Sequence, residues 1–228
     1  ISLGLVGSEM CIRDRIDTGR TVTYAELNAL ADAAAGRLRT RGVGSSSVVE
    51  VRLANSIDFA VALLAVARTG AAAALIGPSL LDAEASRLSA LAGITHRVEP
   101  ADLVPGSAQA WTASDPDAVA VIPFSSGTTG MPKAVELTHR SITANAAQFN
   151  AALAASGIGE GTRVAAPLPF SHIYGLNTLL LSSLAAGRHV FTAARFNLAE
   201  FARAHRDHAI ELSYICLLYT SDAADEED

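Results

Sequence analysis

The chain has 228 residues, 50% of them apolar, and a formal net charge of −6 at pH 7. This is enough for a domain with its own hydrophobic core. No apolar run reaches the roughly 18 residues of a membrane span, and no basic region with a cleavage site precedes Leu3 to Val6. We therefore expect no membrane span and no secretory signal, and a soluble protein of the cytoplasm.

The two ends of the chain match each other at the level of DNA. Met10 to Arg15 can be encoded by ATG TGT ATA AGA GAC AG, and the reverse complement of that run, shifted by one base, encodes residues 216–220. Such ends resemble transposon-end adapters of sequencing libraries, translated in opposite directions. We interpret residues 1–15 and 216–228 as adapter-derived and exclude them from the fold prediction. The alternative is a genuine N-terminal strand and a genuine acidic tail.

Excluding the two ends changes the net charge and the cysteine content on which the prediction can rest. Residues 216–228 carry five acidic side chains, so residues 16–215 have a net charge of only −1, and the acidity says nothing about partners. Cys11 and Cys216, the two cysteines, both fall in the excluded ends. Residues 16–215 therefore offer neither a disulfide framework nor a cysteine-based metal site.

From Ile16 onward, strand and helix patterns alternate. A short strand at Thr21 leads into a helix at Thr23, where Glu26 stands three residues on, as in a capping box. Further strands are predicted over 48–53, 71–76 and 94–98, and further helices over 56–69 and 81–91, before a polar connection over 100–117. This alternation predicts an α/β fold of layered, mainly parallel sheets with flanking helices.

A polar loop follows the next predicted strand, the apolar run from Asp117 to Phe124. It contains four hydroxyl side chains, two glycines and one lysine, namely Ser125, Ser126, Gly127, Thr128, Thr129, Gly130 and Lys133. Glycines let backbone N–H groups approach an anion, while hydroxyls and the ammonium group add donors. We therefore predict a nucleoside triphosphate ligand; a flexible surface turn is the alternative.

The residues around Lys133 narrow this prediction. No glycine directly precedes Lys133 and no Ser or Thr follows it, which excludes a standard nucleotide P-loop. Thr138 or Ser141 can cap a helix predicted over Ile142 to Ala155.

A second polar segment follows a strand predicted at residues 163–166. His172 lies where this strand gives way to a helix that begins near Tyr174, and strand ends are favoured sites in open α/β sheets. A strand over 188–191 and a helix over 198–205 complete the pattern. His205 and His208 lack a cysteine or carboxylate partner in the sequence, so we interpret them as solvated rather than as metal ligands.

The loop resembles the phosphate loop S/T-S/T/G-G-T-T-G-x-P-K-G of the adenylate-forming enzymes, the acyl-CoA synthetase and luciferase superfamily. Ala134 stands where that family usually has glycine. Residues 167–176, P-L-P-F-S-H-I-Y-G-L, are similar to the P-x-F-H-x-Y-x-L element of coumarate-CoA ligase-like members. The runs Thr23-Tyr-Ala-Glu-Leu27 and Leu53-Ala-Asn-Ser56 also resemble the N-terminal half of the family.

The resemblance implies a role for each matching residue. Residues 125–130 and Lys133 would clasp the β- and γ-phosphates of ATP. His172 would be catalytic by orienting the substrate, with Tyr174 beside it against the acyl-adenylate and Phe170 near the same wall. Arg195 occupies the position of a basic residue used near coenzyme A.

The implied reaction is ATP-dependent activation of a carboxylate, as in an AMP-forming acid-thiol ligase. A carboxylate attacks the α-phosphorus of ATP to give an acyl-adenylate, which a thiol then attacks, with Mg²⁺ offsetting the phosphate charge. The expected partners are a small-molecule carboxylate, ATP and coenzyme A, with no nucleic acid; the oligomeric state is open.

The resemblance covers residues 16–215 and is that of an incomplete N-terminal domain. The Tyr-Gly-x-Thr-Glu motif, the ribose-binding aspartate and the late catalytic lysine of the family do not occur in the chain. We therefore expect the 228-residue polypeptide alone to have no adenylation activity.

Three alternatives to an acyl- or aryl-CoA synthetase fragment stay open. One is an adenylation domain of the luciferase or peptide-synthetase type. Another is a non-catalytic nucleotide-binding module. The last, a phosphotransferase with a convergent glycine loop, is disfavoured by the second motif at residues 167–176.

Overall fold

The computed structural model describes residues 11–14, 19–107, 110–111, 115–125 and 132–216. All of residues 126–131, which include the phosphate-loop candidates other than Ser125 and Lys133, therefore lie outside the described residues. No helix in the described ranges is long and apolar enough to cross a membrane.

Two five-stranded sheets and one small hairpin form the framework. The strands are β1 (Cys11–Asp14), β2 (Thr21–Thr23), β3 (Val48–Val51), β4 (Ala72–Leu75), β5 (His96–Arg97), β6 (Val119–Ile122), β7 (Phe124–Ser125), β8 (Lys133–Ala134), β9 (Leu137–Thr138), β10 (Arg163–Ala166), β11 (His189–Thr192) and β12 (Leu212–Ser213). The first sheet has the order β5-β3-β4-β6-β9, the second β12-β10-β11-β1-β2, and β7 pairs with β8.

Both large sheets are mainly parallel, as predicted. Only β9 in the first sheet and β2 in the second run antiparallel to their neighbours. The prediction of an α/β fold with layered, mainly parallel sheets is therefore confirmed.

Strand β1 comes from the segment that we interpret as adapter-derived. It pairs in parallel with β11 and antiparallel with β2, and Ile12 is 1% exposed in the main core. Whatever the origin of residues 1–15, these four residues occupy an internal position in the second sheet. The adapter interpretation itself stays a prediction.

In the described ranges, six α-helices, one 3-10 helix and one π-helix connect the strands. They are α1 (Tyr24–Thr40), α2 (Ile57–Thr69), α3 (Asp82–Ala92), the 3-10 helix (Pro100–Leu103), α4 (His139–Ala154), the π-helix (Tyr174–Leu181), α5 (Ser182–Ala185) and α6 (Leu198–Asp207). Helix α2 is buried at 11 of its 13 positions, because it contacts strands of both large sheets. The main core therefore lies around α2.

The caps explain where the helices begin. Thr23 and Glu26 form the predicted capping box at α1, and the Ser56 hydroxyl accepts a hydrogen bond from the Phe59 N–H at α2. Of the two caps proposed for the helix after the loop, Thr138 is correct, so that helix begins at His139 rather than Ile142.

His205, in α6, and His208, which directly follows that helix, are half-buried, so the interpretation of both residues as solvated holds only in part. Nδ1 of His205 is 2.8 Å from the Phe201 carbonyl oxygen, and Nε2 of His205 is 3.2 Å from Ser213 Oγ. The His208 ring stacks on Phe191 with centroids 4.9 Å apart. The contacts with Ser213 and Phe191 depend on how the fold places β12 and β11 beside these rings, which sequence spacing does not show.

Candidate functional site

The polar loop leaves the carboxyl end of β6 through a short antiparallel hairpin. Ser125 pairs with Lys133 and Phe124 with Ala134, and the Val135 N–H donates to the Pro123 carbonyl at 3.0 Å. We call this β7–β8 hairpin the loop stem. It brings the first and last candidate phosphate ligands opposite each other, both exposed.

Apolar contacts fix the loop stem below its exposed ends. Phe124 packs against a cluster that contains Ile76 and Leu88, and Ala134 against one that contains Ala74 and Ile122. Ala134, the departure from the family pattern, is half-buried and therefore contributes to packing.

Helix α4 follows the stem and carries a buried histidine at its start. Arg140 binds the Asp117 carboxylate through two nitrogens, at 2.7 and 2.9 Å, and these hydrogen bonds lower the pKa of Asp117. His139 is 4% exposed, and burial lowers its pKa to about 4. The positive end of the helix dipole also disfavours a charged imidazole there.

Residues 167–174, which we call the His172 segment, connect β10 to the π-helix. His172 is exposed, and its Nδ1 accepts a hydrogen bond from the Tyr174 N–H at 3.2 Å. Tyr174 is 40% exposed. Phe170 instead is 1% exposed and packs on Phe59 with ring centroids 5.5 Å apart, so its ring lies in the core. A substrate contact by Phe170 stays a prediction.

Two further aromatic rings lie beside Tyr174. The Tyr214 ring is 6.3 Å from the Tyr174 ring and 5.8 Å from the Phe149 ring, both in tilted arrangements. The pKa of Tyr214 is raised, mainly because its hydroxyl is partly buried and to a smaller extent because Tyr174 lies nearby. Tyr174 thus belongs to an aromatic row.

A cavity of about 720 Å³ lies at the carboxyl ends of four strands, two from each large sheet. It is lined by segments after β3, β4, β10 and β11: Leu53, Ala54, Asn55, Gly77, Pro78, Ser79, Pro167, Pro169, Ser171, Ala194, Arg195, Phe196, Asn197 and Leu198. Arg195 is the one charged side chain among these described lining residues. A cavity of mixed polar and apolar lining with one cation suits a ligand that has an anionic group.

The predicted site residues therefore fall into three groups. Ser125 and Lys133 meet at the loop stem, His172 and Tyr174 meet in the His172 segment, and Arg195 shares the cavity with Ser171. No pairing in the described ranges joins the loop stem directly to His172.

The end of β4 lies between these groups. Strand β4 is the parallel neighbour of β6, from which the loop stem leaves. A Cβ at Gly77, just after β4, would lie 3.9 Å from Ser171 Oγ. The loop stem and the His172 segment thus lie at the same edge of the fold.

No group of three His, Cys, Asp or Glu side chains that could hold a metal ion occurs in the part of the chain that the structure describes. A Mg²⁺ ion commonly keeps several waters and binds through substrate phosphates. The described residues are therefore compatible with an ion that arrives with a nucleotide, and they form no dedicated metal cage.

Sequence reasoning missed Asn55, Asn145 and Asn177. The Asn55 amide binds the His172 segment, and the Asn177 amide donates to Asn145 Oδ1, joining the π-helix to α4. Asn55 was noted only as part of the Leu53–Ser56 resemblance. The signal that could have found it is a polar residue directly after a buried strand.

Comparison with known proteins gives the chain a family. The model of the family described as AMP-binding enzyme matches residues 7–103 and 97–215. Among curated relatives, 4-coumarate-CoA ligase 3 of Oryza sativa subsp. japonica is 32% identical over 241 residues. That alignment covers 91% of this chain and 43% of the relative, so the chain spans less than half of that protein's length.

Solved structures share the fold. The N-terminal domain of FACL13 from Mycobacterium tuberculosis has a TM-score of 0.79 at 22% identity, over 90% of this chain and 58% of that chain. O-succinylbenzoate coenzyme A synthetase from Bacillus subtilis, solved with ATP and a magnesium ion, has a TM-score of 0.77 at 23% identity, over 90% and 59%. Because the AMP-binding family model matches most of this chain, the chain belongs to the AMP-binding enzymes.

Proposed function

We propose that this chain is part of an ATP-dependent, carboxylate-activating ligase of the acid-thiol, AMP-forming type. The observation that carries the proposal is the contact between the two motif regions, which follow strands of different sheets. Gly77, just after the strand that neighbours β6, would place a Cβ 3.9 Å from the Oγ of Ser171, the residue before His172. Phosphate-binding and acyl-binding groups would then act on one molecule.

The triphosphate would lie on the loop. Exposed Ser125 and Lys133 stand opposite each other at its base, where a hydroxyl donor and an ammonium group suit phosphate oxygens. Between them, Ser126, Gly127, Thr128, Thr129 and Gly130 would complete the clasp around the β- and γ-phosphates. Mg²⁺, held mainly by the phosphates, would neutralise part of their charge.

The carboxylate would lie beside the His172 segment. One carboxylate oxygen attacks the α-phosphorus, a new O–P bond forms, and the bond between the α-phosphorus and its bridging oxygen breaks to release pyrophosphate. His172 would donate a hydrogen bond near the developing adenylate, and Tyr174, with Phe170 behind it, would border the acyl group.

The cavity would receive coenzyme A. Arg195 is exposed at this cavity and would pair with a phosphate of the coenzyme. In the second step the thiolate sulfur attacks the acyl carbon, the thioester C–S bond forms, and AMP leaves with the electrons of the C–O bond.

The first experiment is to resequence the genomic locus across Arg15/Ile16 and Ile215/Cys216. An open frame that continues into a Tyr-Gly-x-Thr-Glu motif supports a complete ligase, of which the 228-residue chain is an inactive part. Codons for residues 216–228 followed by a stop would instead support a non-catalytic nucleotide-binding module.

The second experiment measures carboxylate-dependent ATP–pyrophosphate exchange in the product of the continued frame. Lys133→Ala and Thr129→Val should each lower exchange by about 10² to 10³, the usual effect of removing one transition-state donor. Unchanged exchange in both variants contradicts the assignment of the loop. Exchange without thioester formation from coenzyme A would favour a luciferase-like or peptide-synthetase-like relative.

A further inference from the structure

Asn55 makes an unusual set of hydrogen bonds for a residue in a strand-to-helix connection. Its side chain is 6% exposed, and the bonds reach residues more than 110 positions later in the sequence. Nδ2 donates to the Leu168 carbonyl at 2.7 Å, and Oδ1 accepts from the Phe170 N–H at 2.7 Å. One amide thus fixes both sides of Pro169.

This anchor lies just before the exposed histidine. The His172 N–H donates to the Pro169 carbonyl at 3.1 Å, and the Leu176 N–H donates to the His172 carbonyl at 2.9 Å. The backbone on both sides of His172 is therefore held, beginning from the two residues that Asn55 binds.

Close packing transmits this anchor to the π-helix. A Cβ on Gly175 would come within 2.7 Å of the Leu168 carbonyl oxygen, which is the acceptor for Asn55, and within 2.3 Å of the Pro169 carbonyl oxygen. The backbone of residues 168–169 therefore lies too close to position 175 for any side chain there, so the residues that Asn55 binds are in direct contact with the start of the π-helix.

A backbone hydrogen bond from the same segment selects the tautomer of the neutral His172 ring. Because the Tyr174 N–H donates to Nδ1, the neutral imidazole carries its proton on Nε2. His172 therefore presents an N–H donor to its surroundings and is not arranged as a proton acceptor through Nε2.

We propose that Asn55 is a positioning residue that holds the His172 segment so that the imidazole presents its Nε2–H to the bound substrate. The substrate part of this inference rests on the proposed ligase function. The positioning part concerns the folded chain alone and can be measured without any ligand.

The test uses nitrogen-15 NMR of the six histidines in the 228-residue chain, with the His172 signals assigned by their loss in His172→Gln. In the wild type at pH 8, Nδ1 should be unprotonated and Nε2 protonated. In Asn55→Leu, the His172 ring signals should move, and the Tyr174 amide should exchange about fivefold faster, the factor equivalent to one net hydrogen bond.

The matched control is Ser56→Ala. It removes the neighbouring cap of α2 at a comparable expected loss of stability, and the hydrogen bonds of its hydroxyl go to Ala54 and Phe59 rather than to residues 167–170. The His172 signals and the relative Tyr174 exchange rate should stay at wild-type values in this control. If Asn55→Leu does not fold, Asn55→Asp keeps the acceptor for Phe170 and loses the donor to Leu168, and should show the same changes.

Two results would overturn the inference. One is a wild-type His172 with its proton on Nδ1. The other is a folded Asn55 variant whose His172 and Tyr174 signals coincide with those of the wild type, because Asn55 would then contribute only stability. Neither readout involves ATP, so failure of the ligase assignment would appear separately, as unchanged pyrophosphate exchange in the loop variants.

Discussion

The loop stem and the His172 segment carry the two recognisable motifs, yet they are built in opposite ways. The loop stem presents exposed Ser125 and Lys133 on a two-residue ladder, held by backbone hydrogen bonds and by apolar contacts of Phe124 and Ala134. The His172 segment exposes little beyond His172 and Tyr174 and is held by buried amide bonds from Asn55.

This difference indicates how each motif works. Ser125 and Lys133 of the loop stem are exposed and can contact a ligand, so their substitution should change ligand binding more than stability. Most residues of the His172 segment are buried or half-buried and orient other residues, so their substitution should change stability as well as binding. The predictions below test this division, beginning with the largest expected effect on the free energy of unfolding.

The largest effect should come from Gly175→Ala. The new methyl group would lie 2.3 and 2.7 Å from two backbone carbonyl oxygens, and backbone cannot move aside as a flexible side chain can. We expect a loss of about 3 kcal/mol, or a fall in Tm of about 6 to 12 °C, in urea and thermal unfolding.

Gly159→Ala is the matched control for that substitution. Nothing lies within 4 Å of a Cβ at Gly159, so its stability should stay within about 0.5 kcal/mol of the wild type. Equal stability of the two alanine variants would contradict the tight packing of the His172 segment.

The next effect concerns acid. His139 has a pKa of about 4 when folded against an ordinary 6.5, so the unfolded chain binds more protons between these values. Stability from this group is complete above about pH 6.5 and decreases as the pH falls toward 4. Urea unfolding should therefore show a loss of about 2 kcal/mol from pH 7.5 to pH 5.

Other groups also titrate in that range, so the informative quantity is a difference between variants. His139→Gln should lose less stability than the wild type over the same pH interval. Equal losses in both proteins would mean that His139 is not the source of the acid sensitivity.

Much of the fold follows from local sequence patterns. The capping box at Thr23 and the strand at residues 163–166 were predictable because each depends on neighbours within a few residues. The start of α4 was placed three residues late, because the His139 pattern gave no sign that its side chain is buried.

The site residues were predictable only where they belong to one short sequence motif. Lys133 and His172 could be chosen from their motifs, whereas the role of Asn55 depends on contacts across more than 110 residues. The π-helix after His172 was also missed, since a wider helical turn has no distinct sequence period. Tertiary contacts decided both.

A smaller effect should appear where the two motif regions are joined. Asn177, 5% exposed, donates to Oδ1 of exposed Asn145 on the helix that follows the loop stem. A double-mutant cycle of Asn145→Leu and Asn177→Leu should give a coupling energy of about 1 kcal/mol in urea unfolding.

The same cycle with Thr143→Val in place of Asn145→Leu is the control. Thr143 bonds only within its own helix, to His139 and Arg140 carbonyls, so it should not couple to Asn177. Additive effects in both cycles would mean that the amide pair does not join the two regions energetically.

The smallest effect on stability, and the largest on binding, should come from Lys133→Ala. The exposed ammonium group has no ion pair within the described ranges, so unfolding should change by less than about 0.5 kcal/mol. Titration calorimetry with ATP and Mg²⁺ should show affinity at least about tenfold weaker, because a charge-assisted contact to phosphate is lost. Arg140→Ala removes the same charge seven residues away, where the guanidinium already binds Asp117, and should weaken ATP binding far less. Equal weakening by both variants would show that ATP senses only the overall charge of this surface, and the division between a ligand-serving loop stem and a structurally held His172 segment would then fail on the loop side.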